Sequence, residues 1–169
     1  MERIAEFEKV SYQQFEKDWL KNFPDTSDVK AVYDSIKLPK RATVGSAGYD
    51  LCACISEPII LNPGKRTFIP CGVAIELPSN KYAAFIFARS GLGVKKGITL
   101  SNGVGVVDSD YRGEIGVGLC NLSEEAYTIQ PGERIAQMVI MNVETPMLNL
   151  CENLNETSRG EGGFGSTGK

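Results

Sequence analysis

The sequence predicts an all-β chain on three observations. Short apolar runs follow one another from Val29 onward, turn residues separate nearly all of them, and helical periodicity is confined to residues 1–23. In that first stretch Ser11 followed by Gln14 matches a capping box, and Tyr12, Phe15, Trp19 and Phe23 recur at helical spacing until Pro24 stops the pattern. Trp19 is the only tryptophan, so the face that carries it must pack somewhere. Its polar side (Gln13, Glu16, Lys17, Asp18, Lys21) is not strongly basic. Packing on the body of the protein or on a neighbouring subunit is therefore expected, not a membrane surface.

Residues 24–28 read as a linker. Val29–Tyr33 reads as a weak strand and Lys37–Ser46 as a loop. Strands are then expected over Tyr49–Ile55, Ile59–Leu61, Arg66–Leu77, Tyr82–Ala88, Ile98–Leu100, Val104–Val107, Glu114–Asn121, Ala126–Ile129 and Arg134–Val143. Pro63-Gly64, Pro78-Ser79-Asn80, Gly91 with Gly93, and Pro131-Gly132 punctuate them. Short strands at this spacing suit a sandwich, a jelly roll or a barrel.

Composition narrows the chemistry. A chain of 169 residues fits one domain, and its net charge of -3 gives no basic field for nucleic acid. No apolar run is long enough to span a bilayer, and Met1–Val10 lacks the apolar core of a signal peptide, so a cytoplasmic protein is expected. The cysteine count is 5, an odd number without a CxxC or second cluster, which favours buried free thiols over a zinc site. The histidine count is 0. That removes Ser-His and Cys-His nucleophile pairs and the commonest general base, leaving carboxylates, Arg, Lys, Tyr, backbone amides or an oxygen-held metal.

Several segments carry groups of that kind. Gly97–Gly113 (GITLSNGVGVVDSDYRG) reads as a two-stranded ribbon followed by the acidic turn Asp108-Ser109-Asp110 with Tyr111 directly after it. Arg89-Ser90-Gly91-Leu92-Gly93 follows an apolar strand and offers a guanidinium, a hydroxyl and free amides on a glycine-rich bend, an anion-binding nest. Gln137 shares a strand face with Ile135 and Val139, so its amide needs partners in backbone, phosphate or water. Asp50 lies among apolar residues and must either pair with Arg or Lys or hold waters around a metal. The tail from Ser158 to Lys169 is too glycine-rich for a core element. Its GFGSTGK end is not a P-loop, because no strand precedes it and no Ser or Thr follows the lysine. Arg159, Ser166, Thr167 and the lone aromatic Phe164 are nevertheless groups for gripping an oxyanion and stacking on a planar ring.

Five segments in this order resemble the trimeric dUTPase family: AGYDL at 47–51, RSGLG at 89–93, NGVGVVDSDYRGEI at 102–115, GERIAQM at 132–138 and RGEGGFGSTG at 159–168. The likeness covers about 29–169. It implies a jelly-roll-like β-barrel homotrimer whose active sites are each built from several chains. It divides the sequence into an N-terminal helical extension and linker (1–28), a barrel domain (29–157) and a flexible lid (158–169). The implied reaction takes dUTP and water to dUMP and pyrophosphate with Mg²⁺, limiting uracil incorporation into DNA and supplying dUMP for thymidylate synthesis.

By position, the resemblance makes Asp108 the base for the attacking water and puts Tyr111 beneath the deoxyribose. Asn102 and the backbone from Gly103 to Val107 would read the uracil edge. Arg89, Ser90, Gly91 and Gln137 would meet phosphates, and Asp50 would stand near the waters of the metal. Arg159, Ser166 and Thr167 would clamp the terminal phosphate while Phe164 stacks on the base, with Gly165 between them also touching substrate. Two other readings share the fold or the pocket: a dCTP deaminase, mono- or bifunctional, and a non-catalytic nucleotide-sensing or partner-binding protein.

Overall fold

The computed structural model describes residues 5–163, and over them the chain is mostly β. Strand β1 (Glu6–Lys9) leads into helix α1 (Tyr12–Asn22). Ser11 caps α1, its hydroxyl accepting the Gln14 N–H at 3.3 Å, while the Gln14 side chain turns to Asp18. Phe15 and Trp19 are buried in the main core, so the aromatic face of α1 packs on the body of the chain. The indole N–H of Trp19 donates to Thr26 at 2.9 Å.

Two readings of this region are corrected. Residues 1–23 are not the only helical part, and Val29–Tyr33 is not a strand but most of helix α2 (Val29–Asp34). Asp28 caps it through the Ala31 N–H, and Val29, Val32 and Ile36 bury one face at helical spacing. That periodicity outweighs the β preference of two valines.

The remaining strands are β2 (Tyr49–Cys52), β3 (Ile59–Leu61), β4 (Arg66–Pro70), β5 (Val73–Glu76), β6 (Tyr82–Ala88), β7 (Ile98–Leu100), β8 (Gly105–Val107), β9 (Gly116–Asn121), β10 (Tyr127–Ile129) and β11 (Arg134–Asn142). They form four antiparallel sheets, ordered β1-β5, β10-β3, β2-β11-β6-β8 and β4-β9-β7. The run expected as one strand over Arg66–Leu77 breaks at Gly72, whose φ of 71° turns the chain between β4 and β5. Leu51, Ile69, Ile129, Ile135 and Met138 meet in the core from different sheets.

Two further corrections concern the segments that matter most. The expected ribbon over 98–107 does not pair with itself: β7 pairs with β9, and β8 pairs with β6. Ile98 and Leu100 are both buried, which commits β7 to its own sheet, and residues 101–104 cross to the next. Arg89–Gly93 is not an open loop but the start of helix α3 (Ser90–Lys96). Leu92 anchors this helix in the core, and Gly97, in the left-handed region, closes it.

Candidate active site

The four-stranded sheet β2-β11-β6-β8 carries most of the singled-out residues. On β2, Asp50 accepts from Arg89 Nε at 3.0 Å through one oxygen and from Arg134 Nη1 at 2.9 Å through the other. Arg89 Nη1 also reaches the Arg134 carbonyl at 3.1 Å. Of the two alternatives open for Asp50, pairing with cations is the one observed. Arg134 comes near Asp50 because β11 runs beside β2: it pairs with Cys52, two residues along from Asp50, with a register shift between Arg134 and Ala136. The sequence assigns Arg134 no partner, because no local signal tells which strand lies alongside β11.

Gln137 donates from Nε2 to the Ala88 carbonyl at 3.0 Å, so a backbone group satisfies it. Its other amide atom packs against Gly48, where an added Cβ would lie 2.8 Å from Oε1. Ser90 and Gly91 open α3, where N–H groups have no intrahelical acceptor. Asp50, Arg89, Ser90, Gly91, Arg134 and Gln137 together border a cavity of about 380 Å³. It presents two guanidinium groups, a hydroxyl and backbone amides, a set suited to phosphate oxygens.

A second cavity, about 280 Å³, lies under the 102–111 segment and is bordered by Phe68, Ile86, Asn102, Val107, Asp108 and Tyr111. Asp108 is exposed at its rim, and its carboxylate has no hydrogen-bond partner among the described residues. Asp110 is exposed too but does not border the cavity. Tyr111 donates its hydroxyl to the Glu114 carbonyl at 2.9 Å, and its ring folds back over Gly113, leaving no room there for a Cβ. Asn102 and Gly103 are exposed at the turn, and Val107 is buried.

The two cavities lie apart. They share no lining residue: Ile86 borders the Asp108 cavity and Phe87 the Arg89 cavity. Asp108 directly follows Val107, which pairs with Ala84; from there to Arg89 the strand runs about 17 Å at its usual rise. Within one chain, then, the phosphate-type groups and the free carboxylate do not face a common space.

The tail is described as far as Gly163. Arg159 is exposed, and among the described residues its Nε reaches the Gly162 carbonyl at 2.8 Å. Phe164, Gly165, Ser166 and Thr167 lie outside the described residues. The described cysteines are all free. Burial pushes the Cys54 thiol up to about 12 and that of Cys71 well above its ordinary value, so neither supplies a thiolate nucleophile.

The dUTPase family model matches residues 34–168. The chain belongs to the dUTPase family. The deoxyuridine 5'-triphosphate nucleotidohydrolase of Idiomarina loihiensis is 50% identical over 135 residues, which span 80% of this chain and 89% of that one. That of Hahella chejuensis is 52% identical over 139 residues, spanning 82% and 91%. Among solved structures, a mutant dUTPase of Staphylococcus bacteriophage 80alpha with dUpNHpp superposes with a TM-score of 0.77 at 24% identity, covering 99% of this chain and 100% of that one. A dUTPase of phage phi11 of S. aureus, described with a structural Mg(II) ion, gives 0.67 at 21% identity, covering 89% and 98%. These dUTPases share the fold of most of this chain.

Proposed function

We propose that this chain hydrolyses dUTP to dUMP and pyrophosphate, at sites that the copies of a jelly-roll homotrimer build together. The observation that carries the reading is the Asp108 carboxylate, unpartnered among the described residues and held at the rim of a cavity beside Tyr111. In a chain without histidine it is the group placed to take a proton from water.

The roles follow from what each side chain can do. Asn102 and the backbone from Gly103 to Val107 offer donors and acceptors to a pyrimidine edge, and a mismatched edge leaves them unpaired, which discriminates strongly. The Tyr111 ring lies under the sugar, where a 2′-hydroxyl has no room. Arg89, Ser90, Gly91 and Gln137 hold the phosphate chain, and Arg159, Phe164, Gly165, Ser166 and Thr167 close over it as a lid. Asp108 orients a water and accepts its proton as the water oxygen bonds to phosphorus. The α–β phosphoanhydride bond breaks and pyrophosphate leaves with its electron pair.

Among the described residues no cluster of three or more Cys, Asp or Glu is placed to hold a metal, and both oxygens of Asp50 are engaged by arginines. Mg²⁺ would therefore come in on the triphosphate with its own waters, and Asp50 would be the carboxylate to meet those waters. When bound, the ion neutralises charge on the phosphate chain.

Sharing between copies is supported by the distance between the two cavities. It is supported further by the stretch after β11, where Met147, Leu148, Leu150 and Leu154 are each at least 87% exposed on a single chain. Such an apolar run gains by packing on a neighbour. In this arrangement 1–28 is an N-terminal extension, whose described part holds strand β1 and helix α1, of the barrel body 29–157, with 158–169 as its lid.

A complementation experiment tests the shared site. Arg89→Ala and Asp108→Asn each disable every site of their own homotrimer. Co-assembled at equal amounts, they are expected to regain about a quarter of full activity, since an Asp108→Asn chain still lends its Arg89 to a site whose Asp108 comes from an Arg89→Ala chain. No recovery on mixing would place both groups in one chain's site and contradict the arrangement.

A further inference from the structure

Most of residues 5–36 precedes the family match, which begins at 34, yet this segment is linked to the Tyr111 turn through Gly72 and β5. Strand β1 pairs with β5 from Lys9↔Val73 to Glu6↔Glu76. Just beyond β1, the Val10 N–H donates to the Gly72 carbonyl at 3.2 Å. The other face of the same glycine reaches toward the site: its N–H donates to Glu114 Oε1 at 2.6 Å. Gly72 holds φ at 71°, and a Cβ there would lie 2.6 Å from Ile36, so the residue is pinned between the exit of α2 and the turn.

The seam continues along the backbone. Ile115 N–H donates to the Val73 carbonyl at 2.8 Å, and Cys71 N–H to the Ile115 carbonyl at 3.0 Å. Glu114 in turn accepts the Tyr111 hydroxyl on its own carbonyl. Arg112 reaches Glu76 of β5 at 3.2 Å. A cavity of about 530 Å³ between α1 and the turn is bordered by Trp19, Phe68, Tyr111 and Glu114. Burial lifts the Glu114 carboxyl above its ordinary value of 4.5, the Gly72 N–H acting in the opposite direction.

We propose that Glu114 is a positioning residue: by gripping a Gly72 amide that the N-terminal segment backs, it fixes the Tyr111 ring where the sugar is selected, which makes residues 6–36 part of substrate discrimination. The proposal rests on the dUTPase reading. What the position requires is an acceptor oxygen for a backbone N–H that is otherwise left unsatisfied. Glutamine supplies that oxygen without a buried charge, and alanine supplies nothing.

The test compares Glu114→Ala and Glu114→Gln in the assembled full chain, with dUTP and UTP as substrates. The alanine variant is expected to keep kcat for dUTP within a few-fold, to raise KM about tenfold, and to lower the preference for dUTP over UTP by about tenfold. The glutamine variant is expected to stay within about twofold of the parent in all three, because it keeps the acceptor oxygen. An unchanged dUTP/UTP preference in an assembled alanine variant, or a glutamine variant as impaired as alanine, would overturn the proposal.

A second readout does not depend on turnover. Binding of dUpNHpp, followed by calorimetry, is expected to shift Trp19 emission and slow hydrogen exchange at the Gly72 amide. Binding with neither change would overturn the proposal even if the alanine variant fails to assemble. A chain that binds dUpNHpp and shows both changes but releases no pyrophosphate from dUTP would uphold the positioning and defeat the catalytic reading, so the two failures separate.

Discussion

Asp108→Asn is expected to lower kcat for dUTP by about two to four orders of magnitude, the usual contribution of a positioned general base. The substitution keeps the shape of the side chain and one acceptor oxygen, so a water can still be held. It removes the basicity that the transition state needs. No histidine stands by to replace it, and the neighbouring Asp110 does not border the cavity. Since Asp108 has no hydrogen-bond partner among the described residues, the change breaks no structural bond there, and dUpNHpp affinity is expected to stay within a few-fold. Steady-state pyrophosphate release and calorimetric titration separate the two quantities. A variant that turns over dUTP at near the parental rate would remove Asp108 from the role of base.

Deleting Ser158–Lys169 is expected to cut kcat/KM for dUTP by about a hundredfold or more, because closure supplies both orientation and exclusion of water. The deletion removes Arg159, Phe164, Gly165, Ser166 and Thr167 together, while leaving every strand and the apolar stretch Met147–Leu154 intact. In the described part of the tail Arg159 and its neighbours are exposed, and among the described residues Arg159 bonds within its own turn. The oligomer measured by light scattering is expected to be unchanged. An unaltered rate after truncation would mean that the tail takes no part in the site.

The sequence and the structure agree where side-chain alternation and punctuation act alone. Ile59–Leu61, Tyr82–Ala88 and Ile98–Leu100 have the same bounds in both, because each is a β-branched or aromatic run between breakers. They part where tertiary burial outweighs local preference. Val29–Tyr33 has strand-like valines, but a cap at Asp28 and a buried face every three to four residues make it helical. Gly91 and Gly93 argue against a helix, yet Leu92 in the core and the Gly97 cap hold one.

The polar residues of the site were legible as types. Asp50 and Gln137 stand out as polar groups among apolar neighbours, Arg89 as a guanidinium on a glycine-rich bend, and Asp108 and Tyr111 as parts of a dense acidic turn. Their partners were not legible, since the Asp50–Arg134 pair depends on β2 lying beside β11, and the Glu114–Gly72 bond on β5 running beside the Tyr111 turn. Register between distant strands leaves no local mark. Nor does a sequence show that Arg89 and Asp108 border separate cavities of one chain.

The most direct test is pyrophosphate release by the assembled protein across dUTP, dTTP, dCTP and UTP with Mg²⁺. The account predicts equimolar dUMP and pyrophosphate from dUTP, with the other three turned over slower by orders of magnitude: UTP because its 2′-hydroxyl meets Tyr111, dTTP because of its methyl, and dCTP because its edge mismatches the backbone from Gly103 to Val107. Ammonia released from dCTP, comparable rates on dUTP and UTP, or no pyrophosphate from dUTP would contradict it.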